Sequence, residues 1–120
     1  MSALQIDQLS IRATRADGRL RLDWRGTGRI HDADTELCPF LDRASAEAVA
    51  AGALVELHIE ETDFFNSATM GAVIRFIKVA QKQRLGVELF FDPGQDWQRL
   101  FAEALAVFER RGSGFALRPR

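Results

Sequence analysis

Two short apolar runs, Leu54-Val55-Glu56-Leu57-His58-Ile59 and Val87-Glu88-Leu89-Phe90-Phe91, are each followed by a stretch whose apolar residues recur at helical spacing. That alternation constrains the chain more than any other feature. Parallel neighbours in a sheet need a crossover to return the chain to the same end, and an amphipathic helix is the usual crossover. The near-continuous apolar character of residues 54–59 predicts a strand covered on both faces. Asp92-Pro93-Gly94 stops the second run abruptly.

The helical stretches have readable ends and faces. From Ser67 to Gln83, Met70, Val73, Ile74 and Ile77 recur on one side, whereas Arg75, Lys78 and Lys82 read as a solvated face. From Asp96 to Phe108 the apolar side is Trp97, Leu100, Phe101, Leu105 and Phe108. A helix from Pro39 to Ala51 opens on a tolerated proline and ends before Gly52. Its stripe of Phe40, Leu41, Ala44, Ala48 and Ala51 is small enough for close approach to a sheet.

Upstream, Leu9, Ile11 and Ala13 alternate with polar neighbours, as do Leu20, Leu22 and Trp24, and Asp17-Gly18 between them signals a hairpin. Gly26-Thr27-Gly28 ends the second strand, and Arg29 to Thr35 reads as irregular. Arg110-Arg111-Gly112-Ser113-Gly114 reads as a loop before a short last strand, Phe115-Ala116-Leu117. The expected fold class is α/β: a single domain over residues 1–120, with a mixed sheet of about four to five strands containing parallel pairs, packed against three main helices.

Composition narrows the function. With 120 residues, 47% apolar and 28% charged, the chain is an ordinary globular domain able to bury its own core. A net charge of -1 gives no electrostatic case for nucleic acid or an anionic membrane. Cys38 is the only cysteine, which excludes an intrachain disulfide or a cysteine metal cluster and suits a reducing cytoplasm. The start lacks the basic and apolar regions of a signal peptide, and no apolar run approaches the roughly 20 residues of a membrane span. A cytoplasmic protein with no direct membrane insertion is expected.

The segment Asp63-Phe64-Phe65-Asn66-Ser67-Ala68-Thr69-Met70-Gly71 joins the first apolar strand to its helix. A hydroxyl there suits a helix cap, because a side-chain oxygen satisfies an otherwise free backbone N–H. It equally suits a phosphorylated residue, since the open N–H groups and the helix dipole tolerate a dianion. Other constellations are weaker. His31, Asp32 and Asp34 lack a second ligand cluster at metal spacing and read as a solvated loop. His58 reads as a hydrogen-bonded strand residue, and Cys38, with no basic activator nearby, as a small buried hydrophobe. Glu60, Glu61 and Asp63 read as an exposed acidic loop rather than an acid/base pair. Gly26-Thr27-Gly28 lacks the lysine or third glycine of a nucleotide loop.

The element order and the junction resemble the STAS domain, the fold of bacterial anti-sigma factor antagonists. In that family the junction commonly reads Asp-Ser-Ser/Thr-Gly-Leu-Gly, and the hydroxyl residue after the Asp is phosphorylated. Here Asn66-Ser67-Ala68-Thr69-Met70-Gly71 matches it, with Ser67 on the phosphoacceptor position, Met70 on the apolar one and Gly71 on the final glycine. Gly86-Val87-Glu88-Leu89 and Asp92-Pro93-Gly94-Gln95 resemble the family's later turns. Asn66 departs from the Asp, Ala68 from the second hydroxyl residue and Thr69 from the first glycine. The early Gly-Glu-Leu-Asp-type motif is absent, with Gly28-Arg29-Ile30-His31-Asp32 near its place. An Asn-Ser/Thr junction after an aromatic residue also resembles a divergent STAS-like family of regulatory phosphoproteins.

The resemblance implies a non-enzymatic, phosphorylation-controlled partner switch. Ser67 would be the phosphorylation site, with Thr69 a second candidate, and Phe64, Asn66, Ser67, Ala68, Thr69, Met70 and Arg75 would form the partner surface. The implied partners are a Ser/Thr kinase of the anti-sigma factor type, a metal-dependent Ser/Thr phosphatase and a further regulatory target protein. The chain itself would carry no cofactor, since ATP and metal belong to those enzymes. The alternative is a constitutive STAS interaction subunit of a larger complex, such as a membrane transporter assembly, with Ser67 only a cap.

Overall fold

Odd-numbered residues of one early strand and even-numbered residues of the next turn to the same side, and this alternation lays down the inner face of a six-stranded sheet. The computed structural model describes residues 3–110 and 112–120. Met1 and Ser2 of the leader reading, and Arg111 of the expected loop, lie outside those residues. The strands are β1 (Ala3–Ile6), β2 (Leu9–Ala16), β3 (Arg19–Gly28), β4 (Leu54–Phe65), β5 (Val87–Phe91) and β6 (Phe115–Pro119). Their spatial order equals their chain order. β1, β2 and β3 pair antiparallel, and β3 through β6 pair parallel.

The parallel pairs need crossovers, and the helices supply them: α1 (Ala33–Glu36) and α2 (Cys38–Ala51), then α3 (Ser67–Lys82), then α4 (Asp96–Leu105) with a 3-10 turn at Ala106–Phe108. The fold is therefore an α/β domain with a mixed sheet. Register places Leu22, Leu57, Leu89 and Leu117 in one row across β3 to β6. Leu20, Leu22, Trp24, Val55, Leu57, Ile59, Val87 and Leu89 are all buried in a single cluster with Phe40, Leu41, Val73, Phe76, Ile77, Phe101 and Leu105 of the helices. The helices thus share one side of the sheet.

The expectation that β4 is covered on both faces is overturned. Its outer residues Glu56, His58 and Glu60 belong to a charged outer face. There Arg19 bridges Glu56 at 2.7 Å and Glu88 at 2.9 Å, and Arg118 adds a contact to Glu88 at 2.8 Å. His58 broke the apolar run for this reason: it stacks on Phe90 of the next strand at 4.2 Å and bonds Glu56 at 2.7 Å.

Other expectations are corrected in detail. The sheet has six strands rather than four to five, because β1 is a four-residue edge strand with only Leu4 and Ile6 facing inward. The segment from Arg29 to Thr35 is not wholly irregular: Asp32 accepts from Asp34 N–H at 3.2 Å, Glu36 accepts from Asp32 N–H at 2.8 Å, and a single helical turn forms. β4 continues through Glu60, Glu61 and Asp63, so the expected acidic loop is strand. The buried side chain of Gln98 donates to the carbonyls of Ile59 at 3.0 Å and Thr62 at 3.1 Å and holds this extension. On the expected apolar stripes, Ala51 is exposed and Leu100 is 58% exposed. The α4 region bends into its 3-10 turn after Leu105, which a helical wheel over residues 96–108 does not anticipate.

Candidate functional site

The junction from β4 to α3 is anchored by Phe65, whose buried ring sits 5.4 Å from that of Trp24 and 4.9 Å from that of Trp97. Asn66 follows, and it uses every polar group it has. Its backbone N–H donates to the Gly28 carbonyl at 2.7 Å, and its side-chain Nδ2 donates to the Ile30 carbonyl at 3.0 Å. Its Oδ1 accepts from the Thr69 N–H at 3.0 Å and from the Thr69 hydroxyl at 2.7 Å. Its carbonyl accepts the Met70 N–H at 3.0 Å. One side chain therefore caps α3 and ties it to the exit of β3, and the open donors of the first turn are left to Ser67 and Ala68.

Ser67 is the first residue of α3 and is exposed. The cap is provided by Asn66, so the Ser67 hydroxyl is free of that duty. Thr69 is fully buried, and its hydroxyl is spent on Asn66. Ala68 and Met70 are half-buried, and Phe64 is 37% exposed with the Arg29 guanidinium 5.1 Å above its ring. Phe64, Asn66, Ser67, Ala68 and Met70 thus reach one surface at the head of α3, whereas Thr69 lies beneath it. Arg75 stands two turns along, held by Asp42 of α2 at 2.7 and 3.4 Å. Its charge is neutralised within the chain, and Asp42 raises the guanidinium above its usual range.

The two glycines that resembled a weak nucleotide loop have packing reasons instead. A Cβ on Gly26, at φ +93°, would lie 1.9 Å from the Gln8 carbonyl oxygen. A Cβ on Gly28 would meet Thr69 Cγ2 at 2.8 Å and Phe65 Cδ1 at 2.9 Å. Gly28 lets α3 begin directly against β3. Among the described residues nothing lies within 4 Å of a Cβ built on Gly71, so their packing does not require that glycine.

Beside the junction an open cleft of about 680 Å³ is lined by Asp7, Gln8, Thr27, Arg29, His31 and Asn66. Sequence reasoning missed Gly28, Arg29 and Ile30 as parts of this site. The available signal was the alternation of Gly28 and Ile30, both buried, with Arg29 and His31, both exposed. His31 falls in the cleft while Asp32 caps α1. His58 sits midway along β4 on the outer face, and Cys38 is buried, its thiol pushed up by burial. Neither contributes to the junction surface. Among the described residues no group of three His, Cys, Asp or Glu side chains is placed to hold a metal, and no helix is long and apolar enough to cross a membrane.

Comparison with protein-family models finds no match, and comparison with curated proteins finds none. Among solved structures, the fold is similar to a chain in the crystal structure of the diguanylate cyclase SiaD in complex with its activator SiaC from Pseudomonas aeruginosa. The TM-score is 0.62 at 14% sequence identity, with 98% of each chain covered. This likeness extends over nearly the whole domain and is one of fold.

Proposed function

We propose that this chain is a cytoplasmic, non-enzymatic regulator that switches protein partners according to phosphorylation of Ser67. The observation that carries this reading is the division of labour at the head of α3: Asn66 does the capping, and Ser67 is exposed, its hydroxyl without a partner among the described residues. A hydroxyl not needed by the fold can be modified without dismantling it. In the forward step Ser67 Oγ forms a bond to the γ-phosphorus of ATP, the bond to the bridging oxygen of ADP breaks, and the hydroxyl proton is lost. A metal-dependent phosphatase returns the serine by hydrolysis, releasing inorganic phosphate.

The partner in this reading packs over Phe64, Asn66, Ser67, Ala68 and Met70. Phosphate adds about -1.5 to -2 charges and three acceptor oxygens there. The first turn of α3 accommodates that charge, whereas a desolvated partner surface does not. The kinase is of the anti-sigma factor type, as the family resemblance implies. The similar fold found with a diguanylate cyclase and its activator supports a signalling enzyme as the regulated target. Thr69 is not the preferred acceptor, because its hydroxyl is buried and bonded.

The test is recovery of partners from extract of the native cell with wild-type, Ser67→Ala and Ser67→Asp proteins. Wild type and Ser67→Ala should recover a common partner that Ser67→Asp loses. Identical recovery by all three would remove Ser67 as the switch and favour a constitutive interaction subunit.

A further inference from the structure

The exit of β3 holds Arg29 and His31, with no assigned task, beside the one exposed hydroxyl of the α3 first turn. Gly28 and Ile30 are buried and give their carbonyls to Asn66, so the segment from Gly28 to His31 runs alongside the residue that precedes Ser67. Arg29 and His31 alternate with them, are exposed, and line the same cleft as Asn66. Arg19, Arg75 and Arg118 are each paired with a carboxylate, whereas among the described residues none lies within ion-pair distance of Arg29. Its guanidinium rests over the Phe64 ring instead.

Resting on the reading of Ser67 as a phosphorylation site, we propose that the Arg29–His31 cleft is the intrachain receiver of the Ser67 phosphoryl group. A guanidinium above an exposed aromatic ring is held only weakly. Its charge-assisted, bidentate hydrogen bonds to a phosphate are stronger. Phosphorylation therefore draws the Arg29 guanidinium off Phe64 and onto the phosphate. The modified surface differs from the unmodified one twice over, by a phosphate at Ser67 and by a bared ring at Phe64. The groups facing the cleft are Asp7 and Gln8 from the β1–β2 turn, Thr27 from β3, Arg29 and His31 beyond it, and Asn66. Asp7 is the carboxylate among them and opposes the phosphate.

The test uses the full chain with phosphoserine incorporated at position 67 during synthesis, followed by phosphorus NMR through the second phosphate ionisation. That ionisation ordinarily falls near about 6. In this protein it should fall lower by about one unit, the effect of a close cation. Arg29→Ala should return most of the shift, Arg29→Lys only part of it, and His31→Ala a smaller share. Asp7→Asn should lower the ionisation further, and Arg15→Ala on β2 should leave it alone. Matching amide spectra of the variants verify the fold, and if Arg29→Ala does not fold, the Arg29→Lys, His31→Ala and Asp7→Asn shifts decide the matter. An ionisation indifferent to Arg29, His31 and Asp7 overturns the proposal. Because the phosphate is built in, this outcome is independent of the parent reading. That reading fails instead if Ser67 from the native cell never carries phosphate by intact mass.

Discussion

Asn66 donates its side-chain amide to the Ile30 carbonyl at 3.0 Å, a bond that the aspartate of the resembling family could not make as a carboxylate. The departure from the family pattern thus has a local physical reason: this junction needs a donor as well as an acceptor.

Asn66→Asp keeps an oxygen for the Thr69 N–H but sets a carboxylate against the Ile30 carbonyl. The expected loss is about 1–3 kcal/mol, the penalty for an unmatched polar pair. Urea unfolding of the two proteins at neutral pH measures it, and equal midpoints would show the Ile30 bond to be dispensable.

The hydroxyls at positions 67 and 69 should separate cleanly. Ser67→Ala should change stability by no more than about 0.5 kcal/mol, since the exposed residue does not cap the helix. Ser67→Asp should be neutral or stabilising by about 0.3–1 kcal/mol through the helix dipole. Thr69→Ala removes a buried hydroxyl bonded to Asn66 and should lose about 1–2 kcal/mol. Thermal unfolding ranks the three. A Ser67→Ala loss as large as that of Thr69→Ala would return the capping role to Ser67.

The two glycines flanking the site should respond oppositely to alanine. Gly28→Ala forces Thr69 or Phe65 to move and should destabilise by about 1–3 kcal/mol. Thr69→Ser removes the methyl it meets, so the double variant should recover part of that loss in a mutant cycle. Gly71→Ala has open space within a helix and should stabilise by up to about 1 kcal/mol. If Gly71→Ala abolishes partner recovery despite its stability, a partner approaches the backbone there.

The outer face sets an acid limit. Burial pushes the Glu56 and Glu88 carboxyls up, but hydrogen bonds from His58 and Arg19 to Glu56, and from Arg118 and Arg19 to Glu88, leave both below the ordinary glutamate value. A folded value below the unfolded one means that stability is present above the unfolded glutamate value, about 4.3, and is lost as pH falls through the folded values. Arg19→Ala should weaken the protein at neutral pH and make this acid-side loss smaller. Urea midpoints followed from neutral pH down to roughly pH 3 measure both effects. Parallel profiles for wild type and Arg19→Ala would remove Arg19 from the account.

Much of the fold was legible because it follows local rules. Alternation in Leu20, Leu22 and Trp24, the Asp17-Gly18 turn, and Gly52 with φ +63° past α2 all depend on near neighbours in sequence. Ser67 at the head of α3 was legible for the same reason. What stayed hidden depends on residues far apart in sequence. Glu60, Glu61 and Asp63 look like a loop until Gln98, from another element, takes their strand's carbonyls. His58 looks out of place until Phe90 stacks on it.

The sequence by itself determined the order of the elements from β2 onward, apart from the short α1, and their apolar faces, because periodicity is a property of each segment alone. Only the tertiary structure decided that Asn66, besides closing the helix, ties it to the exit of β3. It also brought Arg29 and His31 to the junction's side and made Gly28 a requirement. Those decisions rest on hydrogen bonds and close contacts between segments more than 30 residues apart, such as Asn66 to Ile30 at a separation of 36. No local pattern encodes them, since each half of such a contact is chemically unremarkable until packing sets it against the other.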